Sequence, residues 1–332
     1  MSERPRSEPG VARTAADLHL GPLGYGAANV GNLYRAMTDV EAWAVLDAAW
    51  ENGIRHFDTA PHYGLGLSER RLGAFLATKP RSDYVLSTKV GRLLRPSPET
   101  ADRLDDAHGF AVPASLRRVW DFTENGIRSS LQESLERMGL DAVDVLYLHD
   151  PEEDNLAPAL ENGVAVLVAL RDEGLVTAIG VGSKSTDALL AAVRTGVLDL
   201  LMVAGRYTLV EQPALDELIP ECRAGGVGVV AAGVFNSGLL SSSRPSAGAR
   251  YEYADVPADV LERARRIEDV CAAYGVALPV AALQFPLREQ AVRCVVVGAG
   301  QPRHVRENAE RVRAVVPHEL WDRLASEGLV RV

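Results

Sequence analysis

Gly53-Ile54-Arg55-His56-Phe57-Asp58-Thr59-Ala60-Pro61-His62-Tyr63-Gly64 is the stretch around which the rest of the chain is arranged. Its apolar start, 54–57, predicts a short strand with Asp58 at the carboxyl end. A Thr-Ala-Pro turn then brings in Tyr63, so two ionisable groups share one strand-to-helix loop. Two more strand ends offer partners. Lys89 closes Tyr84-Val85-Leu86-Ser87-Thr88, and His149 closes Val143-Asp144-Val145-Leu146-Tyr147-Leu148.

The same rhythm runs outward in both directions. Short apolar strands are predicted over 18–26, 54–57, 84–88, 143–148, 176–181, 200–203, 228–232 and 294–297. Helical patterns follow each of them. Thr38 and Ser68 read as N-caps of the first two helices, and Asn52-Gly53 as the end of the first. Later helices are predicted over 123–138, 157–172, 186–194, 214–224, 257–274 and from 302 past 308. Strands that are apolar throughout are buried on both faces, and strand–helix alternation means parallel strands with right-handed crossovers. Eight such units close a barrel, so the expected fold is an α/β, (β/α)8 TIM barrel in a single domain over 18–332. The competing doubly wound sheet lacks its G-x-G-x-x-G turn after the first strand. A long loop at about 91–121, rich in Pro, Asp and Arg, is expected to be irregular and to cover a site. Residues 1–17 read as a loose polar tail without the apolar region of a signal peptide.

Composition narrows the function. With 35 Lys and Arg against 45 Asp and Glu, the formal charge is −10 and there is no basic block, which disfavours nucleic acid as a partner. No apolar run of about 18 residues predicts a membrane span. The three cysteines, Cys222, Cys271 and Cys294, have no metal-type spacing. So few, in odd number, they fit free thiols in a reducing cytoplasm, and no metal site is expected. The partner expected is a small-molecule substrate; nothing fixes the oligomeric state.

In a barrel the loops after the strands hold the site, and Asp58, Tyr63, Lys89 and His149 all fall on that side. Alone, each has a structural use: a packed aromatic, a solvated lysine, a turn cap, a histidine bound to a carbonyl. Together at three successive strand ends they compose a proton-transfer site. Tyr titrates near 10 and Lys near 10.4, so an ammonium beside the phenol is expected to lower its pKa. Asp58 would keep Lys89 charged, and His149 would hold the substrate oxygen. Tyr63 would then act as general acid in carbonyl reduction or general base in alcohol oxidation. The hydride requires a cofactor, since no side chain supplies one.

The motif from Gly53 to Gly64, continued by Ser68-Glu69 and Leu72-Gly73, resembles the first motif of the aldo-keto reductases. Ser87-Thr88-Lys89-Val90 resembles that family's lysine strand and Leu146-Tyr147-Leu148-His149 its histidine strand. The likeness spans roughly 18–313. Gly91-Arg92-Leu93-Leu94, Ala204-Gly205-Arg206-Tyr207-Thr208-Leu209 and Gly233-Val234-Phe235-Asn236-Ser237-Gly238 resemble the branch made up of aldose and pyridoxal dehydrogenases.

The resemblance implies the tetrad Asp58, Tyr63, Lys89 and His149 and a nicotinamide cofactor. It implies a cofactor wall of Gly26, Ala27, Ser183, Lys184, Phe235, Asn236 and Ser237, ending on Gly298, Ala299, Gly300, Arg303 and Asn308. A glycine-rich turn opening a helix suits a pyrophosphate. Three positions depart from the family: Gly182-Ser183-Lys184 stands for Ser-Asn, Ala204 for a Gln that binds the amide, and Phe235 is the nearest ring to a missing stacking aromatic. Gly298 stands where NADP-preferring relatives often place Lys, so NAD is favoured over NADP, with Arg303 as a possible substitute cation. Substrate contacts are expected from His62, Trp120 and Phe122. The implied reaction is oxidation of a cyclic hemiacetal (an aldose such as L-fucose, or pyridoxal) to its lactone. The alternatives are NADPH-dependent reduction of simple aldehydes or ketones, a Schiff-base lyase using Lys89, and a cofactor-sensing regulatory subunit.

Overall fold

The computed structural model describes residues 14–252 and 254–331. Eight strands close a parallel barrel: β1 (Leu23–Gly26), β2 (His56–Asp58), β3 (Val85–Val90), β8 (Val145–His149), β9 (Ala178–Ser183), β10 (Leu200–Ala204), β11 (Gly228–Ala232) and β14 (Val292–Gly298). The remaining strands lie outside the barrel. β4 (Arg92–Pro96) pairs with β7 (Leu116–Trp120), β5 (Leu104–Asp105) with β6 (Phe110–Pro113), and β12 (Arg250–Tyr251) with β13 (Ala254–Asp255), all antiparallel. The helices are α1 (Asp39–Glu51), α2 (Leu67–Leu76), α3 (Glu124–Met138), α4 (Leu156–Asp172), α5 (Thr186–Val193), α6 (Leu218–Gly225), α7 (Ala258–Ala273), α8 (Leu278–Gln284), α9 (Pro302–Arg313) and α10 (His318–Ser326).

Successive residues of a strand point to opposite faces, and this alternation builds the site. On β2, β3 and β8 one face looks into the barrel. Its upper layer is Asp58, Lys89 and His149, and its lower layer is His56, Ser87 and Tyr147. Val145, Tyr147, Ala178, Leu200, Met202, Val230, Cys294 and Val296 fill the interior with Leu20, whose side chain packs at the bottom. The opposite faces pack on the helices in one continuous apolar core. The barrel interior is thus solid, and only its upper end is left for a ligand.

Most predicted elements appear within a few residues of their expected bounds, and the differences have local causes. The first strand starts at Leu23, not Leu18, because Gly21 turns at φ 67 and Pro22 has no N–H for the ladder. Thr38 caps α1 as expected, accepting from Glu41 N at 3.2 Å in a full capping box. Ser68 does not cap α2: Gly66 does, at φ 80, while the buried Ser68 hydroxyl donates to the Ala27 carbonyl at 2.8 Å. The segment at 91–121 is not irregular. It is a twisted arm made of the β4–β7 ladder, from Arg92 opposite Trp120 to Pro96 opposite Leu116, with β5 and β6 at its tip. Helices α8 and α10 had no counterpart in the expected pattern. Of the expected tail, Ala15–Asp17 form one 3-10 turn capped by Thr14, and 1–13 lie outside the described residues. Among the described residues no single helix is long and apolar enough to cross a membrane.

Candidate active site

The upper layer of β2, β3 and β8 brings the predicted tetrad together. Lys89, 2% exposed, donates to Asp58 Oδ2 at 2.6 Å, the Thr59 carbonyl at 2.9 Å and the Tyr63 hydroxyl at 3.2 Å. These three acceptors match the three protons of an ammonium. Ser87 donates to the other carboxylate oxygen of Asp58 at 2.8 Å, and His56 Nε2 lies 3.2 Å from Ser87 Oγ. A buried chain of hydrogen bonds therefore backs the tetrad from below. The turn carrying Tyr63 is fixed by Gly64 at φ 60, where an added Cβ would lie 2.1 Å from the Gly31 carbonyl oxygen.

The electrostatics differ from expectation at Tyr63. Burial pushes its hydroxyl above the ordinary value, and Lys89 pulls it back only in part, so the net direction is upward. Burial likewise pulls on Lys89, but Asp58 and Tyr63 together outweigh it and the ammonium is held above its usual pKa. His149 is driven well below 6.5, first by burial and then by Arg92 and Lys89, so it is neutral. Its Nδ1 is buried with no hydrogen-bond partner among the described residues. A bare acceptor costs less there than an unpaired N–H, which leaves the proton on Nε2 as a donor.

A cleft of about 570 Å³ runs from the tetrad across the barrel mouth to β14 and α9. Gly26, Ser183, Lys184, Phe235, Asn236, Ser237, Gly298, Ala299, Gly300 and Asn308 line it, as do Asp58, His62, Tyr63, Lys89 and His149. Ala27 does not: it is fully buried, and its N–H holds the Asp58 carbonyl at 2.8 Å. Arg303 also lies outside the cleft, exposed and bonded to His304 Nε2 at 3.2 Å, while His304 itself faces the cleft. The Ser183 hydroxyl already donates to Glu152 and accepts from Ser185 N at 2.8 Å. Lys184 donates to Glu252 at 3.0 Å, and Arg206 reaches the same oxygen at 3.2 Å. Asn29, Met202, Glu252 and Arg311 are lining residues that sequence reasoning missed.

A second cavity of about 1070 Å³ opens between the tetrad and the arm. His62, Tyr63, Arg92, Arg118, Trp120 and Asp150 are among its walls. Trp120 faces it beneath the Arg92 guanidinium, 4.2 Å above the indole. Phe122 does not: it is buried, stacked on Trp120 at 5.9 Å, with Gly91 at φ 99 lying across its ring. Arg92 and Asp150 are the chief omissions of the sequence reading. One signal was available: Asp150 follows His149 directly, and Arg92 opens the arm just after Lys89.

The cleft suits a dinucleotide. At Gly298 a Cβ would stand 2.5 Å from Asn29 Oδ1, so a side chain there requires the Asn29 side chain to shift. The turn Gly298-Ala299-Gly300 leads into the N-terminus of α9, where free N–H groups favour anions. The Asn236 side chain lines the cleft with both amide atoms buried and unpartnered among the described residues, which fits a polar ligand. A parallel eight-stranded barrel with this Asp58, Tyr63, Lys89 and His149 cluster at one end of such a cleft is an NAD(P)-dependent oxidoreductase. The family model of the aldo/keto reductases matches residues 22–326, and the chain belongs to that family. It is 56% identical over 325 residues to D-threo-aldose 1-dehydrogenase of a Pseudomonas species, covering 98% of each chain. It is 36% identical to pyridoxal 4-dehydrogenase of Microbacterium luteolum, over 93% of this chain and 94% of that one. A holo-form aldo-keto reductase from Bacillus halodurans superposes with a TM-score of 0.73 over 96% of this chain and 95% of that one, at 23% identity.

Proposed function

We propose that this enzyme oxidises a cyclic hemiacetal, an aldose or pyridoxal, to its lactone, with NAD favoured as the hydride acceptor. The observation that carries it is the Lys89–Tyr63 hydrogen bond at 3.2 Å beside a neutral His149, facing a cavity whose walls include Arg92, Arg118 and Asp150. The names of the two relatives support the substrate class, since aldoses and pyridoxal share a ring-closed form with a hydrogen and a hydroxyl on one carbon.

A bound nicotinamide supplies the acceptor for the hydride. The residues do the rest. His149 Nε2–H donates to the hydroxyl oxygen and fixes it. Tyr63 takes the hydroxyl proton once ionised to phenolate, and because burial holds its pKa above the ordinary value that state is favoured as pH rises. Lys89 stabilises that phenolate and is kept charged by Asp58. The carbon loses its hydrogen as hydride, the C–O bond becomes C=O, and the ring oxygen already attached makes the product a lactone. Water and a covalent intermediate have no part in it. The buried cysteines stand outside the tetrad, and burial raises their thiol pKa values.

Gly298 supports the cofactor preference. It offers no charge to a 2′-phosphate, and no longer side chain fits without moving Asn29. The test is product identification with NAD and L-fucose, related aldoses or pyridoxal. A lactone that opens slowly to the acid is expected. Activity confined to open-chain aldehydes with NADPH would overturn the reaction. A kcat/KM about tenfold or more higher with NADP would overturn the preference.

A further inference from the structure

We propose that Asp150, clamped by Arg92, binds the hydroxyl on the carbon next to the reacting one and so selects sugars that carry it. This rests on the hemiacetal reaction above and names its preferred substrate class.

The backbone is the first sign. Asp150 sits at φ 43, ψ 60, in the left-handed region that non-glycine residues rarely adopt. Its N–H is tied to the Gly182 carbonyl at 2.9 Å, so the neighbouring strand end holds the conformation. Strain of this kind persists where the surrounding structure enforces it, and it gathers at ligand sites. Here it turns the carboxylate directly after His149 into the mouth of the barrel, where it lines both cavities.

The second sign is the clamp. Arg92 donates to Asp150 Oδ2, and its other terminal nitrogen lies 3.3 Å from His62 Nδ1. The guanidinium is stacked on Trp120 and nearly buried. A planar, stacked guanidinium is a fixed partner, unlike a lysine. Oδ1 is left without a hydrogen-bond partner among the described residues. Oδ2 also stands 3.5 Å from His149 Nε2, the atom that holds the reacting oxygen.

The third is chemistry. In a ring-closed aldose the hydroxyl on the next carbon lies within about one hydrogen-bond length of the reacting oxygen. A carboxylate beside His149 can accept from it, and a charged acceptor makes such a bond roughly twice as strong as a neutral one. In pyridoxal the corresponding group is a phenolic oxygen, which is ionised at neutral pH and would face the carboxylate as a like charge. A simple aldehyde offers nothing at that position and would leave Asp150 with an unfilled acceptor.

The test compares L-fucose with 2-deoxy-L-fucose, which differ only in that hydroxyl, using NAD and reading kcat/KM. The wild-type enzyme is expected to favour L-fucose by about 10²-fold or more, as sites built to bind a hydroxyl reject analogues without it. Asp150→Gly keeps the left-handed backbone without strain and removes the acceptor. It should shrink the ratio by about tenfold or more, and Asp150→Asn, which also tolerates this backbone, should fall between. A wild-type ratio near one overturns the proposal without any variant. So does an unchanged ratio in Asp150→Gly, which would mean that Asp150 acts only by positioning His149 or Arg92. Lactone from either sugar shows that the underlying reaction stands in those cases; lactone from neither overturns both.

Discussion

The Tyr63 hydroxyl lies 3.2 Å from the Lys89 ammonium, whose remaining protons are held by Asp58 at 2.6 Å and the Thr59 carbonyl at 2.9 Å. Lys89 therefore cannot swing away, and Tyr63 is the one member of the pair positioned to exchange a proton with a ligand. Tyr63→Phe keeps the ring and removes the proton. Turnover should fall by about 10²–10⁴-fold, with the dissociation constant for NADH unchanged within about threefold. Near wild-type turnover would refute the mechanism.

The same contact carries stability. Lys89→Met leaves the Asp58 carboxylate buried without its cation, since Asp58 is 2% exposed. Breaking one side of a buried pair costs about 3–5 kcal/mol, whereas replacing both is often nearly neutral. Urea denaturation should show a large loss in Lys89→Met and substantial recovery in Asp58→Asn/Lys89→Met. Turnover should stay low in both. If the double variant is less stable than the single one, Asp58 does not depend on Lys89 as described.

Gly298 and Arg303 separate two accounts of cofactor choice. An added Cβ at Gly298 needs Asn29 Oδ1 to move from 2.5 Å. Gly298→Ala should therefore raise the dissociation constant for NAD with little change in melting temperature. Arg303 points to solvent beside His304, so Arg303→Ala should leave the NAD to NADP ratio of kcat/KM within about threefold. A shift beyond tenfold would place Arg303 at the adenosine end after all.

Trp120 supports the substrate side through Arg92. With the indole gone, the guanidinium loses the ring 4.2 Å beneath it and the carboxylate it holds is freed to move. Trp120→Ala should raise KM for substrate and spare the cofactor dissociation constant. Equal losses in both would mean that Trp120 only anchors the arm to the barrel.

What the sequence made legible was local. Strands such as 143–148 and 228–232 are continuous apolar runs, and their ends carry Lys89 and His149, so barrel and tetrad followed together. The arm did not, because Arg92–Pro96 and Leu116–Trp120 carry charge and proline, and each reads as a strand only against the other. The Arg92–Asp150 contact joins residues 58 apart in sequence, a pairing no local pattern encodes. Tyr63 shows a different limit. Its cation was visible in the sequence, but the depth of burial that outweighs the cation comes only with the folded barrel.

That burial also sets how the fold responds to acid. Burial lowers His56 to about 4, and His62 and His149 are likewise driven well below 6.5, burial again the largest cause. An unfolded chain would protonate all three near 6.5. Between pH 6.5 and 4 the unfolded state thus binds protons that the folded state refuses, and stability is lost as pH falls. His56 alone accounts for about 2 kcal/mol of that loss by pH 5. Asp150 works in the opposite sense. Burial, partly offset by Arg92, raises it to about 6 from 3.8, so the folded state takes up a proton before the unfolded one does. Its contribution is present at low pH and is lost as pH rises through about 6. Three histidines outweigh one carboxyl, so the urea midpoint should drop from pH 7 to pH 5. Asp150→Asn removes the opposing group and should steepen the drop. A midpoint that is flat or rises towards pH 5, or a shallower fall in Asp150→Asn, would show that these groups do not titrate in the fold as their burial requires.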